Sequence, residues 1–228
     1  MGLEFKKVKK SYESGFVLKD ISFKIKNGKI FALIGGNGAG KTTIIRLILK
    51  IIKIDSGNIE LNNKRSYSLK DIGFVLEDEK LFENLTPIKY LHFFIENYKI
   101  NFKNSKKIIN RYLTEFNLYE KKDVLIKNLS KGMKRKLSLI KSIIHNPRLL
   151  ILDEPFNGIE PKSRKEIKNK LIRYVSKGNI VFITSHILDE IEKLADEFGI
   201  IYNGQIKGLY SMNEIKNSLE EFYYQKVQ

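Results

Sequence analysis

The sequence contains no cysteine in 228 residues, which excludes a disulfide-stapled scaffold, a thiolate zinc site and a cysteine nucleophile together. Long apolar runs are missing too, since Arg46 and Lys50 break the richest stretch, between Ile44 and Ile52. A helix needs about 20 consecutive apolar residues to span a bilayer, so a membrane-spanning segment is not expected. The opening Met-Gly-Leu-Glu-Phe-Lys lacks the apolar stretch of a secretory signal and the Ser or Thr of a myristoylation signal. The chain is therefore expected to be cytoplasmic. It shows no internal repeat and no low-complexity linker.

Acidic side chains are the scarce charge. Lys and Arg number 42 against 26 Asp and Glu, and 42 − 26 leaves a formal net charge of +16. Such a surplus suits nucleic acid, an anionic membrane face or phosphorylated ligands. The lysines are scattered along the whole length, which equally suits a chain whose lysines coat solvated faces. With 42% hydrophobic residues, the length fits one large domain, or one core with an inserted lobe.

Phe5–Val8 and Ile21–Ile25 alternate apolar and polar residues, the pattern of half-buried strands. Ile30–Ile34 is continuously apolar and bounded by glycines, as in a strand buried on both faces of a parallel sheet. Helical spacing follows over Lys41–Ile52, giving strand, glycine loop, helix. Leu149–Leu152 and Ile180–Thr184 are further strands, with a crossover helix over Arg164–Tyr174. The middle differs: Pro87–Tyr98, Lys106–Phe116 and Ser130–His145 are helical, and no strong strand signal separates them. This segment is expected to form a helical lobe inserted into an α/β core.

Gly35-Gly36-Asn37-Gly38-Ala39-Gly40-Lys41-Thr42, followed by Thr43, satisfies the P-loop pattern. Its glycines let successive backbone N–H groups point at one anion, and the helix beginning near Lys41 adds its positive end. Lys41 can place its ammonium between β- and γ-phosphates, and the Thr42 hydroxyl can ligate Mg²⁺. The run Leu149–Leu152 ends in Asp153-Glu154-Pro155. Asp153 there can face the hydration shell of a P-loop Mg²⁺, and Glu154 can polarise a water for attack on the γ-phosphorus. A strand merely capped by solvated acids is the alternative for that pair. His92 and His145 fall within helical patterns and are expected to be structural.

Taken together, these motifs resemble the nucleotide-binding subunit of ATP-binding-cassette (ABC) transporters. Leu129-Ser130-Lys131-Gly132-Met133 resembles that family's signature motif, and Asn157-Gly158-Ile159-Glu160-Pro161 its loop coupling two subunits. Ile72–Glu77 resembles the approach to the Q-loop, His186 stands where the family keeps a switch histidine, and Tyr12 matches the adenine-stacking aromatic. The similarity runs from about Phe5 to Gly208. It implies an α/β P-loop fold of the ABC type, with a mostly parallel sheet, an N-terminal antiparallel β part and an inserted helical lobe. One domain would cover 1–228, with its core at about 1–77 and 147–228 and its lobe at about 78–146.

By the same resemblance, two cassettes bind two ATP·Mg²⁺ head to tail, each between the P-loop of one subunit and Ser130–Gly132 of the other. Residues 35–43, Tyr12, Ser130 and Gly132 would bind nucleotide. Thr42, Glu77 and Asp153 would serve the metal, and Glu154, His186 and Lys41 the chemistry. A membrane-spanning permease and a second cassette would be the partners, on the inner face of the cell membrane, with no stable nucleic acid. The +16 then fits a lysine-rich surface beside an anionic leaflet. The rival is a soluble ABC-type ATPase acting on nucleic acid or ribosomes. Three positions depart from the family pattern: Glu77 replaces glutamine, Lys131 a signature glycine, and Glu160 an aspartate. The first two are similar to the branch exporting bacitracin- and lantibiotic-type peptides.

Overall fold

Alternation along the first strands builds a small antiparallel sheet. In the computed structural model, which describes residues 2–13, 15, 17–99 and 104–227, β1 (Gly2–Ser11) lies between β2 (Val17–Lys26) and β4 (Ser56–Leu61). Both pairings are antiparallel. Leu18, Ile21, Phe23 and Ile25 of β2 are buried while their neighbours face solvent, so the sheet offers one apolar face.

The continuous apolar runs do what two-sided burial demands. β3 (Ile30–Ile34), β6 (Leu149–Asp153) and β7 (Ile180–Ser185) are buried at every position. They occupy a six-stranded sheet of order β5-β6-β7-β3-β8-β9. Here β5 (Ile72–Val75) and β8 (Glu197–Tyr202) continue the parallel set, and β9 (Gln205–Ser211) returns antiparallel at the edge. Alternate residues of β3 feed opposite cores. Ile30, Ala32 and Ile34 join the helical side, whereas Phe31 and Leu33 join the antiparallel sheet. Phe5, Phe23, Phe31 and Phe182 stack across that second interface, with centroid separations of 4.4, 5.5 and 5.9 Å. Each stacked pair adds about 0.5–1.5 kcal/mol beyond its buried area.

Helix α1 (Lys41–Ile48) follows β3 through the glycine loop. Helices α2 (Pro87–Asn97), α3 (Ser105–Glu115) and α4 (Lys131–Ile143) all come between β5 and β6, which are neighbours in the sheet. The chain leaves the sheet, builds a helical layer and returns one position along. Leu91, Ile95, Ile109, Leu113, Leu137 and Ile140 of that layer join the core beneath the sheet. Ser130 caps α4, its hydroxyl accepting the Met133 N–H at 3.2 Å. Helix α5 (Pro161–Val175) crosses from β6 to β7, and α6 (Leu188–Glu192) and α7 (Leu219–Val227) complete the chain.

The helix expected over Lys41–Ile52 stops at Ile48. Lys50 turns left-handed, at φ 54°, while its ammonium bonds the Tyr67 carbonyl at 2.8 Å and covers the Tyr67 ring. Strands β4, β5, β8 and β9 and helices α6 and α7 are not among the elements that the apolar pattern predicts. In β9, exposed and half-buried residues alternate without a buried one, so the strand carries no apolar period.

Candidate nucleotide site

Between β3 and α1 the chain turns through Gly35–Gly40. Gly40 adopts φ 116°, a backbone state that L side chains rarely take, and this lets the loop curl directly into α1. Lys41 folds back over that loop, its Nζ donating to the Gly35 carbonyl at 2.6 Å and the Gly36 carbonyl at 3.2 Å. Burial pushes the Lys41 amine below its ordinary pKa, while Glu154, Asp153 and Glu77 pull the other way.

Residues 36–43 line a cavity of about 380 Å³ together with Glu77, Asp153 and Glu154. Segments far apart in sequence thus converge on Lys41, Thr42 and Thr43. Asp153 ends β6, and its Oδ1 accepts the Thr184 hydroxyl from β7 at 2.5 Å. Burial raises the Asp153 carboxyl above its ordinary range, the Thr184 bond opposes this, and nearby Glu154 and Glu77 raise it further. Glu154 adopts a left-handed backbone at φ 46°. Its N–H donates to the Thr184 carbonyl at 3.0 Å, and its Oε2 accepts the His186 N–H at 3.2 Å. His186 Nδ1 lies 3.0 Å from Glu154 Oε1, while over half of the histidine side chain stays in solvent. The buried carboxylate therefore carries an exposed imidazole at the cavity's edge.

Other candidates stand apart from this cavity. The turn containing Ser130 and Gly132 opens α4 and lies outside the cavity lining. A Cβ on Gly132 would come within 2.7 Å of Ser163 Oγ, so this glycine also lets α4 approach α5. Tyr12 follows β1, with the Lys10 ammonium 5.7 Å from its ring centre. Its carbonyl accepts the Gly15 N–H, and Gly15 in turn lines a smaller hollow with Val17 and Gly38. Among the departures from the family pattern, Glu77 Oε1 accepts the Asn157 side-chain amide at 2.8 Å, tying Glu77 to the segment after β6. Glu160 caps α5 without a side-chain bond, ahead of Pro161. His145 stacks on Tyr98 and its Nε2 faces the Ile72 carbonyl at 3.2 Å, a packing arrangement.

Two residues that sequence reasoning missed bear on the site. Thr184 directly follows the apolar run Ile180–Ile183, ahead of a second hydroxyl at Ser185, and nothing in that order says which of the two faces Asp153. Arg135 carried no local signal, yet it reaches the main-chain carbonyls around Glu154.

The oxygen donors fit a hard divalent cation. Thr42, Glu77 and Asp153 share the cavity, although no three His, Asp or Glu side chains among the described residues converge to hold an ion unaided. Mg²⁺ is ordinarily held by one or two carboxylates, with waters and substrate phosphates completing the shell, so such a partial set suffices.

A glycine loop between a buried strand and a helix, with Lys and Thr at its mouth and a carboxylate pair opposite, defines a P-loop nucleotide-binding protein. The model of the ABC transporter family matches residues 18–157. The chain is 34% identical over 228 residues to the lantibiotic transport ATP-binding protein SrtF of Streptococcus pyogenes, covering 99% of this chain and 97% of that protein. Identity to the bacitracin transport ATP-binding protein BcrA of Bacillus licheniformis is 38% over 204 residues, covering 86% of this chain and 65% of that one. A solved ATP-binding subunit of an ABC transporter superposes with a TM-score of 0.89 at 29% identity, over 99% of each chain. The chain belongs to the ABC transporter family, as an ATP-binding and ATP-hydrolysing subunit. No helix among the described residues is long and apolar enough to cross a membrane.

Proposed function

We propose that this chain pairs with a second cassette, identical or related, and closes head to tail around two ATP to drive a membrane-spanning permease. The observation that carries this reading is the convergence of Lys41, Thr42, Glu77, Asp153 and Glu154 on one cavity, with Ser130 and Gly132 outside it. A lone chain leaves the γ-phosphate half-solvated. The start of α4 in a partner, with its free N–H groups and positive end, completes the electrostatic site.

Within each site, residues 35–43 wrap the phosphates and Tyr12 stacks on adenine. Thr42, Glu77 and Asp153 would hold Mg²⁺, partly through water, and the ion would supply charge neutralisation on the phosphates. Glu154 orients the attacking water and accepts its proton. His186 and Lys41 stabilise charge on the transferring phosphoryl group. Phosphate release removes the contact joining the halves, and the pair opens. The helical lobe, about 78–146, and the Glu77 segment carry this motion to the permease at the inner face of the membrane. The likeness, at 32% identity, to the Nod factor export ATP-binding protein I of a Rhizobium species supports export as the direction.

Glu154→Gln tests the reading. Turnover should fall by at least about a hundredfold while ATP still binds, and an ATP-bound dimer should accumulate in gel filtration. Wild-type turnover would remove Glu154 as the base. A folded, ATP-bound variant that stays monomeric would remove the head-to-tail pair.

A further inference from the structure

Arg135 stands in the second turn of α4, with its guanidinium in the seam between that helix and the ends of β5 and β6. Its Nη1 donates to the Leu76 carbonyl at 2.9 Å, and its Nε to the Pro155 carbonyl at 3.2 Å. Nη2 donates to the carbonyls of Asp153 and Glu154 at 2.9 and 2.7 Å. One side chain therefore holds four main-chain oxygens on two segments. One is the residue before Glu77, and the others are three consecutive residues centred on Glu154. Glu79, Asp153, Glu77 and Glu154 lie close enough to favour its charge, against the burial that opposes it.

Glu154 needs such support. Its left-handed backbone is strained for a side-chain-bearing residue and persists only where the surrounding structure fixes it. Thr184 fixes the Glu154 N–H, and Arg135 fixes its carbonyl. Turning either peptide would swing the carboxylate away from His186. A guanidinium suits this task because its five N–H donors lie in a rigid plane, whereas a lysine ammonium is a point charge on a flexible stem.

We propose that Arg135 is a positioning residue: from α4 it sets the aim of Glu154 and holds the Glu77 segment in the same arrangement. It does not line the nucleotide cavity, so its influence falls on turnover rather than on ATP affinity. The proposal rests on the reading of Glu154 as the base.

The test compares Arg135→Met, Arg135→Lys and Glu154→Gln with the unaltered protein. ATPase kinetics are measured with binding of a fluorescent ATP analogue. Arg135→Met should lower kcat at least tenfold with KM and Kd within about twofold, and Arg135→Lys should fall between it and wild type. Adding Arg135→Met to Glu154→Gln should lower the residual rate no further, since both act through one carboxylate. A folded Arg135→Met with kcat within about threefold of wild type overturns the proposal, as does a loss of affinity that parallels the loss of rate. If the methionine variant does not fold, Arg135→Lys decides alone: full turnover in that variant refutes the role. Wild-type turnover in Glu154→Gln would instead remove the base assignment, and the proposal with it.

Discussion

Thr184→Val removes a hydroxyl at the floor of the site, whose short bond is to Asp153 and whose oxygen also meets the Glu154 N–H at 3.4 Å. Thr184 is fully buried, Asp153 is 6% exposed, and the Thr184 hydroxyl donates to Asp153 Oδ1 at 2.5 Å. Valine keeps the volume and the β-branch but turns a methyl group toward that oxygen. A buried acceptor left unpaired costs about 1–3 kcal/mol, and the charge on Asp153 favours the upper half of that range. In a chain of this length each kcal/mol moves Tm by about 2–4 °C, so the nucleotide-free variant should melt roughly 4–12 °C lower. Thr184→Ser keeps the hydroxyl and loses one methyl group, for about 1 kcal/mol. The pH dependence has a definite sign. Burial raises the folded-state pKa of Asp153, so the associated stability is present below the unfolded value and is lost as pH rises through the folded one. Without the hydroxyl that pKa climbs further, and the loss deepens. The gap between the valine variant and wild type should therefore widen from about pH 4 toward neutrality and close again on acidification. Melting curves of the three proteins across that range check this. A valine variant that melts with the serine variant, or a gap that ignores pH, would refute the argument.

Two further predictions follow from buried polar groups. Asp153→Asn relieves the ionised carboxyl that burial disfavours, so it should raise the Tm of nucleotide-free protein by roughly 2–4 °C while abolishing Mg²⁺-dependent turnover. Calorimetry beside an ATPase assay measures both, and a lower Tm would contradict the first part. The Tyr67 hydroxyl, its pKa pushed up to about 12 by burial, donates to the Ile48 carbonyl at 2.8 Å where α1 ends. Tyr67→Phe leaves that carbonyl unpaired and should cost about 1 kcal/mol in denaturant unfolding, with ATP turnover unchanged.

The legible parts of this protein are those whose chemistry is contiguous in sequence. Gly35–Thr42 spells its phosphate loop within eight residues, and the apolar runs of β3, β6 and β7 declare burial on two faces because no polar residue interrupts them until their ends. Arg135 was illegible for the opposite reason. Its function depends on carbonyls 18, 19, 20 and 59 residues away, and main-chain oxygens leave no trace in residue identity. Edge strand β9 and helix α7 were missed because they bury one surface weakly: only Leu219 of α7 is buried, so the apolar period is blurred.

Net charge misleads for a related reason, since it sums over a surface that the site does not share. The chain carries +16, yet the cavity wall presents three carboxylates, Glu77, Asp153 and Glu154, around the single ammonium of Lys41. A polyanion meets local repulsion there, offset only by loop N–H groups, the start of α1 and that lysine. A divalent cation entering with the nucleotide would reverse the balance, because it would offset charge on the carboxylates and the phosphates at once. With the nucleotide bound as proposed, the acidic wall, and not the basic surface, would favour a metal-bound triphosphate over a bare one.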